Sequence, residues 1–171
     1  KESIKRTKGG EFLDINVVSE TYDETIFHKD DSLYDLNGFN FLIVSQLTSQ
    51  APECDRKNLF NTVKWFCEVF NNDKNVGLVI KTNLGRATFL DREVTKNRLK
   101  DLISTVKKGK YPKIHLLHGN LTTKEMGALY NHDNVKALVN LTRGEGFGLP
   151  ILESAVCGLP VISTGWSGHV D

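Results

Sequence analysis

Short apolar runs alternate with longer amphipathic segments along the chain from about residue 40 onward. Each run has the length of a buried strand, and each longer segment shows the wider spacing of apolar residues that is typical of a helix. Regular alternation of strand and helix indicates β-α-β units, which build a mainly parallel sheet covered on both faces. The pattern predicts five strands, at 41–45, 76–81, 113–118, 135–141 and 160–164.

Four helices are predicted between these strands, at 57–71, 91–108, 122–131 and 149–157. The third begins with Thr122 followed three residues later by Glu125, which is the arrangement of a capping box. The fourth has Pro150 in its first turn and Gly158 at its end, where helices accept proline and a left-handed residue. The predicted fold class is therefore α/β, with a Rossmann-like, doubly wound and mainly parallel sheet.

The N-terminal part of the chain differs because it is polar and acidic, with one strand-like run, INVVS, at 15–19. We interpret 1–38 as an interdomain linker and edge strand, and 39–171 as the folded domain. The chain starts with Lys1 and stops at Asp171, shortly after a strand, where an α/β domain normally continues into a helix. The domain is therefore expected to be incomplete at its C-terminus.

The composition of the chain argues against several classes of function. With 22 basic and 21 acidic residues, the net charge of +1 gives no long-range attraction to nucleic acid or to an acidic membrane surface. The three cysteines lack C-x-x-C spacing, which argues against a disulfide framework or a cysteine zinc site and favours a reducing, cytoplasmic compartment. No apolar run approaches the ~18 residues of a transmembrane segment, so membrane spanning is not supported, and peripheral membrane association of the full-length protein is the alternative to a purely cytoplasmic location.

Two groups of side chains are assigned to structure rather than to a site. His115 and His118 are three apart on a predicted strand and project to opposite faces, so no metal site is predicted. Aromatic residues at helical spacing are more typical of a core than of a stacking platform. We assign to the core most of Tyr22, Tyr34, Trp65, Phe66 and Phe70.

The stretch between the fourth strand and the fourth helix reads GEGFG and combines three glycines with a helix start. Glycine lets the backbone turn tightly and bring bare N–H groups close to a ligand. The first turn of a helix adds unpaired N–H donors and a partial positive charge that favours phosphate. These features predict an anion-binding site, while an ordinary glycine turn is the alternative interpretation.

Two glutamates accompany this predicted site. Glu153, three residues past Pro150, is predicted to lie in the first turn of the helix and to face the loop. A carboxylate there can accept two hydrogen bonds from the vicinal hydroxyls of a ribose, and complementing the helix dipole is the alternative. Glu145, in the loop itself, is interpreted as an acceptor for hydroxyls of a sugar attached to a diphosphate, with a solvated loop side chain as the alternative.

Glu145, seven intervening residues and Glu153, within EGFGLPILESAVCGLPVIST, resemble the E-x7-E signature of retaining GT-B glycosyltransferases of the group 1 or family 4 type. Three other segments resemble the same family: VSETYDETIF its interdomain strand, DRKNL the start of its first helix, and LHGNLTTKEMGALY a segment that ends in tyrosine. The resemblance covers 15–171. It implies one half of a GT-B architecture, the half that binds the nucleotide-sugar donor, with a missing N-terminal domain that binds the acceptor.

The resemblance also implies roles for individual residues. Glu145 at the donor sugar and Lys57 at the diphosphate would be catalytic, and Glu153 would hold the ribose; a surface lysine is the alternative for Lys57. The other implied donor-binding residues are Gly146, Phe147, Gly148 and Leu149 at the sugar and diphosphate, Gly119, Asn120 and Leu121 at the base, and Arg56 and Arg143 near the phosphates.

The chain departs from the family at one point. An arginine often follows the first strand in the family, whereas Ser45 and Gln46 stand there in this sequence. Arg143, Lys81 and Arg56 are the candidates for the second positive charge. Because the family is usually independent of metals, neither a metal nor a cofactor is expected, and the nucleoside diphosphate sugar is a substrate.

The implied reaction moves a hexose from this donor to an acceptor with retention of configuration. The donor half alone is expected to be inactive, since acceptor contacts would come from the other domain. Two alternatives remain: a non-catalytic nucleotide-sugar binding module, and another GT-B enzyme such as a nucleotide-sugar epimerase.

Overall fold

The computed structural model describes residues 5–16, 18–49 and 51–170. Within this part of the chain, five strands pair in parallel to form one sheet with the order β3-β2-β1-β4-β5. The strands are β1 (Phe39–Val44), β2 (Val76–Thr82), β3 (Lys113–His118), β4 (Val135–Asn140) and β5 (Val161–Ser163). The α/β class and the parallel, Rossmann-like sheet predicted from the sequence are therefore confirmed.

Each connection between consecutive strands contains one α-helix: α1 (Leu59–Val69), α2 (Phe89–Val106), α3 (Thr123–Tyr130) and α4 (Leu149–Val156). The capping box at the start of α3 is confirmed, because Thr122 and Glu125 each accept a hydrogen bond from the other's backbone N–H. Gly158 follows α4 with φ of +77°, the left-handed conformation predicted for it. In the described residues, no helix has both the length and the apolar character needed to cross a membrane.

The start of α1 differs from the prediction. The helix begins at Leu59, because Asn58 is left-handed with φ of 55° and interrupts the helical backbone before it. The buried carboxylate of Asp55 accepts a hydrogen bond from Leu59 N at 2.7 Å and thereby satisfies one free N–H group of the first turn. Lys57 therefore lies in the loop before α1 and not in the helix.

The sheet separates two hydrophobic clusters. On β2, Leu78 and Ile80 point to the side covered by α1 and α2, whereas Val79 points to the side covered by α3 and α4. The chain adds β2 and β3 on one side of the central β1, and then β4 and β5 on its other side. The direction in which strands are added therefore reverses between β1 and β4. In such sheets a crevice opens at this point, outside the carboxyl ends of the strands.

The N-terminal segment is not built as predicted. Ile15, Asn16, Val18 and Ser19 lie outside any strand, Val17 lies outside the described residues, and the edge strands of the sheet are β3 and β5. Val18 is 90% exposed, so this side chain of the run covers little apolar surface of the described residues. The 3-10 helix Glu24–Phe27 instead packs on α3 and contributes Ile26 to the core, so this part of the predicted linker belongs to the folded domain.

Gly127 in α3 permits this contact. A Cβ atom at this position would lie 2.3 Å from the carbonyl oxygen of Ile26 and 3.2 Å from that of His28. The Ile26 carbonyl is also fixed by a hydrogen bond from Asn131 Nδ2 at 3.0 Å, so it cannot move without loss. The absence of a side chain at residue 127 thus sets how closely the N-terminal segment approaches α3.

We expect Gly127→Ala to lower the free energy of unfolding by about 1–3 kcal/mol through overpacking. Helix propensity alone would favour alanine by about 1 kcal/mol, so a loss identifies the clash. Urea denaturation measures the effect. Gly165→Ala is the control, because a Cβ atom there would meet nothing within 4 Å. Equal stability of the two variants would contradict the proposed close contact.

The aromatic residues assigned to the core divide into two groups. Phe66 is buried, while Phe70 and Tyr34 pack against the two clusters, as predicted. Trp65 is 45% exposed, and Tyr22 is exposed too, so the core assignment is wrong for these two. Trp65 lies beside the buried stripe of α1 and lines an apolar groove of about 220 Å³ between this helix, β1 and β4.

Candidate functional site

A polar pocket occupies the crevice at the carboxyl ends of β1 and β2. Its volume is about 330 Å³, and Pro150 in the first turn of α4 forms one wall. Among the described residues, the lining includes three cationic side chains and no carboxylate. The polar lining residues are Ser45, Gln46, Arg56, Lys57, Lys81, Asn83 and Asn120.

The structure brings together the two residues predicted to be catalytic. Lys57 Nζ and Glu145 Oε2 are 2.5 Å apart, with only 16% and 10% of the side chains exposed. Burial raises the pKa of Glu145, but the hydrogen bond and the charge of Lys57 outweigh it, so that the pKa is lowered overall. Both side chains are only partly buried, but their ion pair argues against the two alternatives, a surface lysine and a solvated loop glutamate.

Two residues that the sequence did not single out hold the Glu145 loop. Ser167 Oγ accepts a hydrogen bond from Glu145 N at 2.8 Å and donates one to Glu145 O at 2.6 Å. A Cβ atom at Gly168 would lie 1.7 Å from Gly146 O, so only glycine allows these two loops to touch. Ser167 has φ of 83°, and its two hydrogen bonds offset the strain of a left-handed serine. A glycine after β5 was the available signal, but glycine turns are too common to indicate such a contact.

The two predicted arginines connect the loop before α1 with the loop after β4. The guanidinium of Arg56 donates to the carbonyl of Gly144, and that of Arg143 donates to the carbonyl of Glu53. Arg143 N also donates to Arg56 O at 2.9 Å. Arg56 lines the pocket, whereas Arg143 is not among the residues that line it. Both arginines thus have a structural partner already.

The glycine loop leads into α4 as predicted. Gly148 is the residue before the helix, with φ of +85°, and no side chain within the described residues caps its N–H groups. A Cβ atom at Gly148 would lie 3.0–3.2 Å from three side-chain atoms, so both the conformation and the space require glycine. Phe147 and Leu149 are partly exposed on either side, and Gly146 is exposed. Pro150 has no N–H group, and Ile151 N and Leu152 N both donate to Gly148 O. Among the described residues, the free donors at the helix start are therefore the N–H groups of Gly148 and Leu149.

Glu153 does not lie in the first turn of α4 as predicted. Since the helix begins at Leu149, Glu153 is its fifth residue and faces α3, where Tyr130 OH donates to Glu153 Oε2 at 3.0 Å. Burial raises the pKa of Glu153, and the hydrogen bond from Tyr130 only partly reverses this. Glu153 Oε1 has no hydrogen bond to any residue in the ranges described. The alternative of a helix-dipole partner is weakened, because that effect is confined to the first turn.

The predicted base-binding loop after β3 borders the same crevice. Gly119 has φ of +112°, Leu121 is half-buried, and Asn120 lines the polar pocket. Asn83, at the end of β2, donates through Nδ2 to Asn120 Oδ1 at 3.2 Å. Asn83 could not be identified from the sequence, because the two asparagines meet only through the pairing of β2 with β3.

His118, the last residue of β3, lies close to a buried carboxylate. His118 Nε2 lies 3.6 Å from Asp91 Oδ1, and both side chains are buried. Asp91 also accepts hydrogen bonds from Leu84 N and Arg86 N, so it organises the loop before α2. Across 5–16, 18–49 and 51–170, no three His, Cys, Asp or Glu side chains gather in a group that could hold a metal ion.

The sequence of the chain matches one family model, and its fold matches solved structures. The family model described as glycosyl transferases group 1 matches residues 55–171. No curated protein matches the sequence.

Solved structures share the fold at low identity. The C-terminal domain of a glycosyl transferase group 1 family protein (LpcC) from Francisella tularensis superimposes with a TM-score of 0.61 and 17% identity, covering 87% of this chain and 72% of that one. HepE of Anabaena in complex with UDP-glucose gives a TM-score of 0.63 and 18% identity, covering 91% of this chain and 40% of that one. A structure of trehalose-6-phosphate from E. coli bound with UDP-2-fluoro glucose gives a TM-score of 0.51 and 14% identity, covering 78% of this chain and 31% of that one. The chain therefore spans less than half of the latter two proteins.

Proposed function

Because this chain belongs to the group 1 glycosyl transferases, we propose that it binds a nucleoside diphosphate sugar in the polar pocket and acts as the donor-binding half of a retaining hexosyltransferase. The partly buried ion pair between Lys57 and Glu145, beside the start of α4, is the observation that carries the proposal. It combines a cation for a diphosphate with an acceptor for sugar hydroxyls at one edge of the sheet.

The diphosphate would lie between Lys57 and the first turn of α4. An ammonium group has three donors, so Lys57 can keep its hydrogen bond to Glu145 and still donate to a phosphoryl oxygen. The free N–H groups and the dipole of α4 add further stabilisation of negative charge. Because negative charge grows on the diphosphate as the sugar leaves, the same groups would stabilise the transition state more than the ground state.

The two glutamates would hold opposite ends of the donor. Glu145, at the glycine loop, would accept hydrogen bonds from hydroxyls of the transferred sugar, with Gly146, Phe147, Gly148 and Leu149 around it. Glu153 would accept the ribose hydroxyls through Oε1, since Tyr130 already occupies Oε2. The loop formed by Gly119, Asn120 and Leu121 would border the base.

Calorimetric titration of this chain with UDP, GDP and ADP, and then with their sugar derivatives, tests the proposal. We expect at least one nucleoside diphosphate to bind, and we expect no sugar transfer by this chain alone, because acceptor contacts would come from a further domain. Failure of all three nucleotides to bind contradicts the donor site. If the full-length protein binds the donor but neither transfers nor isomerises the sugar, a non-catalytic binding module replaces the enzyme.

A further inference from the structure

Lys81 is a cation of the polar pocket that has no partner among the residues that the structure describes. It is the sixth residue of β2 and is half-buried where this strand ends. Within the described residues, its ammonium group makes neither a hydrogen bond nor an ion pair. Burial lowers the pKa of Lys81, and no nearby carboxylate reverses this effect. The charged side chain is therefore incompletely solvated, and no charge in the described part of the chain compensates it.

The other cations of the crevice are already engaged. Lys57 is paired with Glu145, and the guanidinium of Arg56 donates to the carbonyl of Gly144. Arg143, the third candidate for a second positive charge, donates to the carbonyl of Glu53 and does not line the pocket. Lys81 thus has all three N–H donors free for a ligand.

The strand register places Lys81 at the carboxyl end of β2, next to the carboxyl end of β1. Lys81 is aligned with Val44 on β1, and Ser45 N donates to Lys81 O at 3.0 Å. Since Leu78 and Ile80 face α1 and α2, the alternation along β2 turns Lys81 to the other side, toward α3 and α4. That is also the side of Pro150 and Asn120, which line the same pocket.

We propose that Lys81 is a diphosphate-binding residue, which donates to the phosphoryl oxygens of a bound nucleoside diphosphate together with Lys57 and the start of α4. This inference rests on the function proposed above. An unpaired ammonium in a pocket without carboxylates favours an anion over a neutral ligand, and a compact ammonium is a suitable point charge for phosphate oxygens. Lys81 is thereby assigned to the phosphates and not to the base or the ribose.

The test compares Lys81→Gln with Lys100→Gln, which removes the same charge from an exposed position on α2. Calorimetry measures the affinity of each variant for three ligands. They are the nucleoside diphosphate that the unaltered chain binds, the corresponding nucleoside, and pyrophosphate. We expect Lys81→Gln to weaken the binding of the nucleoside diphosphate and of pyrophosphate about 10- to 100-fold, which is the range for hydrogen bonds to charged groups. Affinity for the nucleoside should not change, and Lys81→Arg should recover part of the loss.

The outcomes separate the two proposals. If the unaltered chain binds no nucleoside diphosphate, the proposed function itself fails. If it binds one and Lys81→Gln binds it as tightly as Lys100→Gln does, the assignment of Lys81 is wrong while the function stands. Equal losses for the nucleoside and the diphosphate also overturn the assignment. A thermal unfolding scan checks folding, and Lys81→Gln should be at least as stable as the unaltered protein because an uncompensated charge is removed.

Discussion

Lys57→Met should weaken the binding of a nucleoside diphosphate by about 10- to 100-fold and leave binding of the corresponding nucleoside nearly unchanged, since a hydrogen bond to a charged group contributes about 1.5–3 kcal/mol. The change removes the ammonium but keeps an apolar stem of similar length. Calorimetric titration with both ligands measures the difference. Equal losses for the two ligands would show that Lys57 supports the fold but does not contact the diphosphate.

The same substitution should also lower the free energy of unfolding, by about 1–3 kcal/mol, because Glu145 keeps its partly buried position without the cation that compensates its charge. The double variant Lys57→Met/Glu145→Gln is the matched control. It removes the uncompensated charge, so it should regain much of the stability but none of the affinity for the diphosphate. A double variant no more stable than Lys57→Met would show that the ion pair is not coupled in this way.

The ion pair also has a pH dependence. In the unaltered protein the pKa of Glu145 is lowered below its ordinary value of 4.5, so the pair stabilises the fold above that pH and the contribution disappears as the pH falls through the lowered pKa. In Lys57→Met only burial and the weaker contacts remain, and the pKa should rise. The stability difference between the two proteins should therefore shrink in acid, as urea denaturation at a series of pH values would show.

The second large effect is expected at Glu153. Glu153→Ala should weaken the binding of a nucleoside diphosphate with an intact ribose by about 1–3 kcal/mol and hardly affect the binding of its 2′,3′-dideoxy analogue. Removal of an exposed carboxylate on α1, Glu68→Ala, is the charge-matched control, for which neither affinity should change. Equal losses for the ribose and dideoxy ligands would refute a ribose-binding role.

Glu153→Gln separates binding from stability. Because the pKa of Glu153 is raised, its contribution to stability is complete below the ordinary value of 4.5 and is lost as the pH rises through the raised pKa. The ionised form therefore costs stability at neutral pH. A glutamine still accepts the hydrogen bond from Tyr130 OH, so this variant should be at least as stable as the unaltered protein while binding ribose less well.

The fold could be predicted from the sequence because its signals are local. The apolar runs of the five strands differ in period from the helices, and residues such as Thr122 and Gly158 mark helix ends by short-range chemistry. The run INVVS carries the same local pattern, but an edge strand also needs a neighbour, which a pattern does not reveal. Its exposed Val18 shows that alternation alone is insufficient.

The site could be predicted only in part, because its contacts join distant segments. The motif placed Glu145 and Lys57 near phosphate chemistry, but their hydrogen bond spans 88 positions and depends on the order of the strands. Glu153 moved from the first turn to the second because Gly148 sets the helix start. Lys81 was one of three candidates, and only the partners of Arg56 and Arg143 distinguish it from the other two.

The contact between Gly168 and Gly146 has a consequence for biosynthesis. The backbone of Glu145 is fastened by Ser167 and Gly168, which lie more than 20 positions later in the chain. A nascent chain that ends at residue 164 would therefore already contain every side chain assigned to the donor. It would lack Ser167 and Gly168, which hold the Glu145 loop. The Glu145 loop can therefore make its observed contacts only after Ser167 and Gly168 have been synthesised.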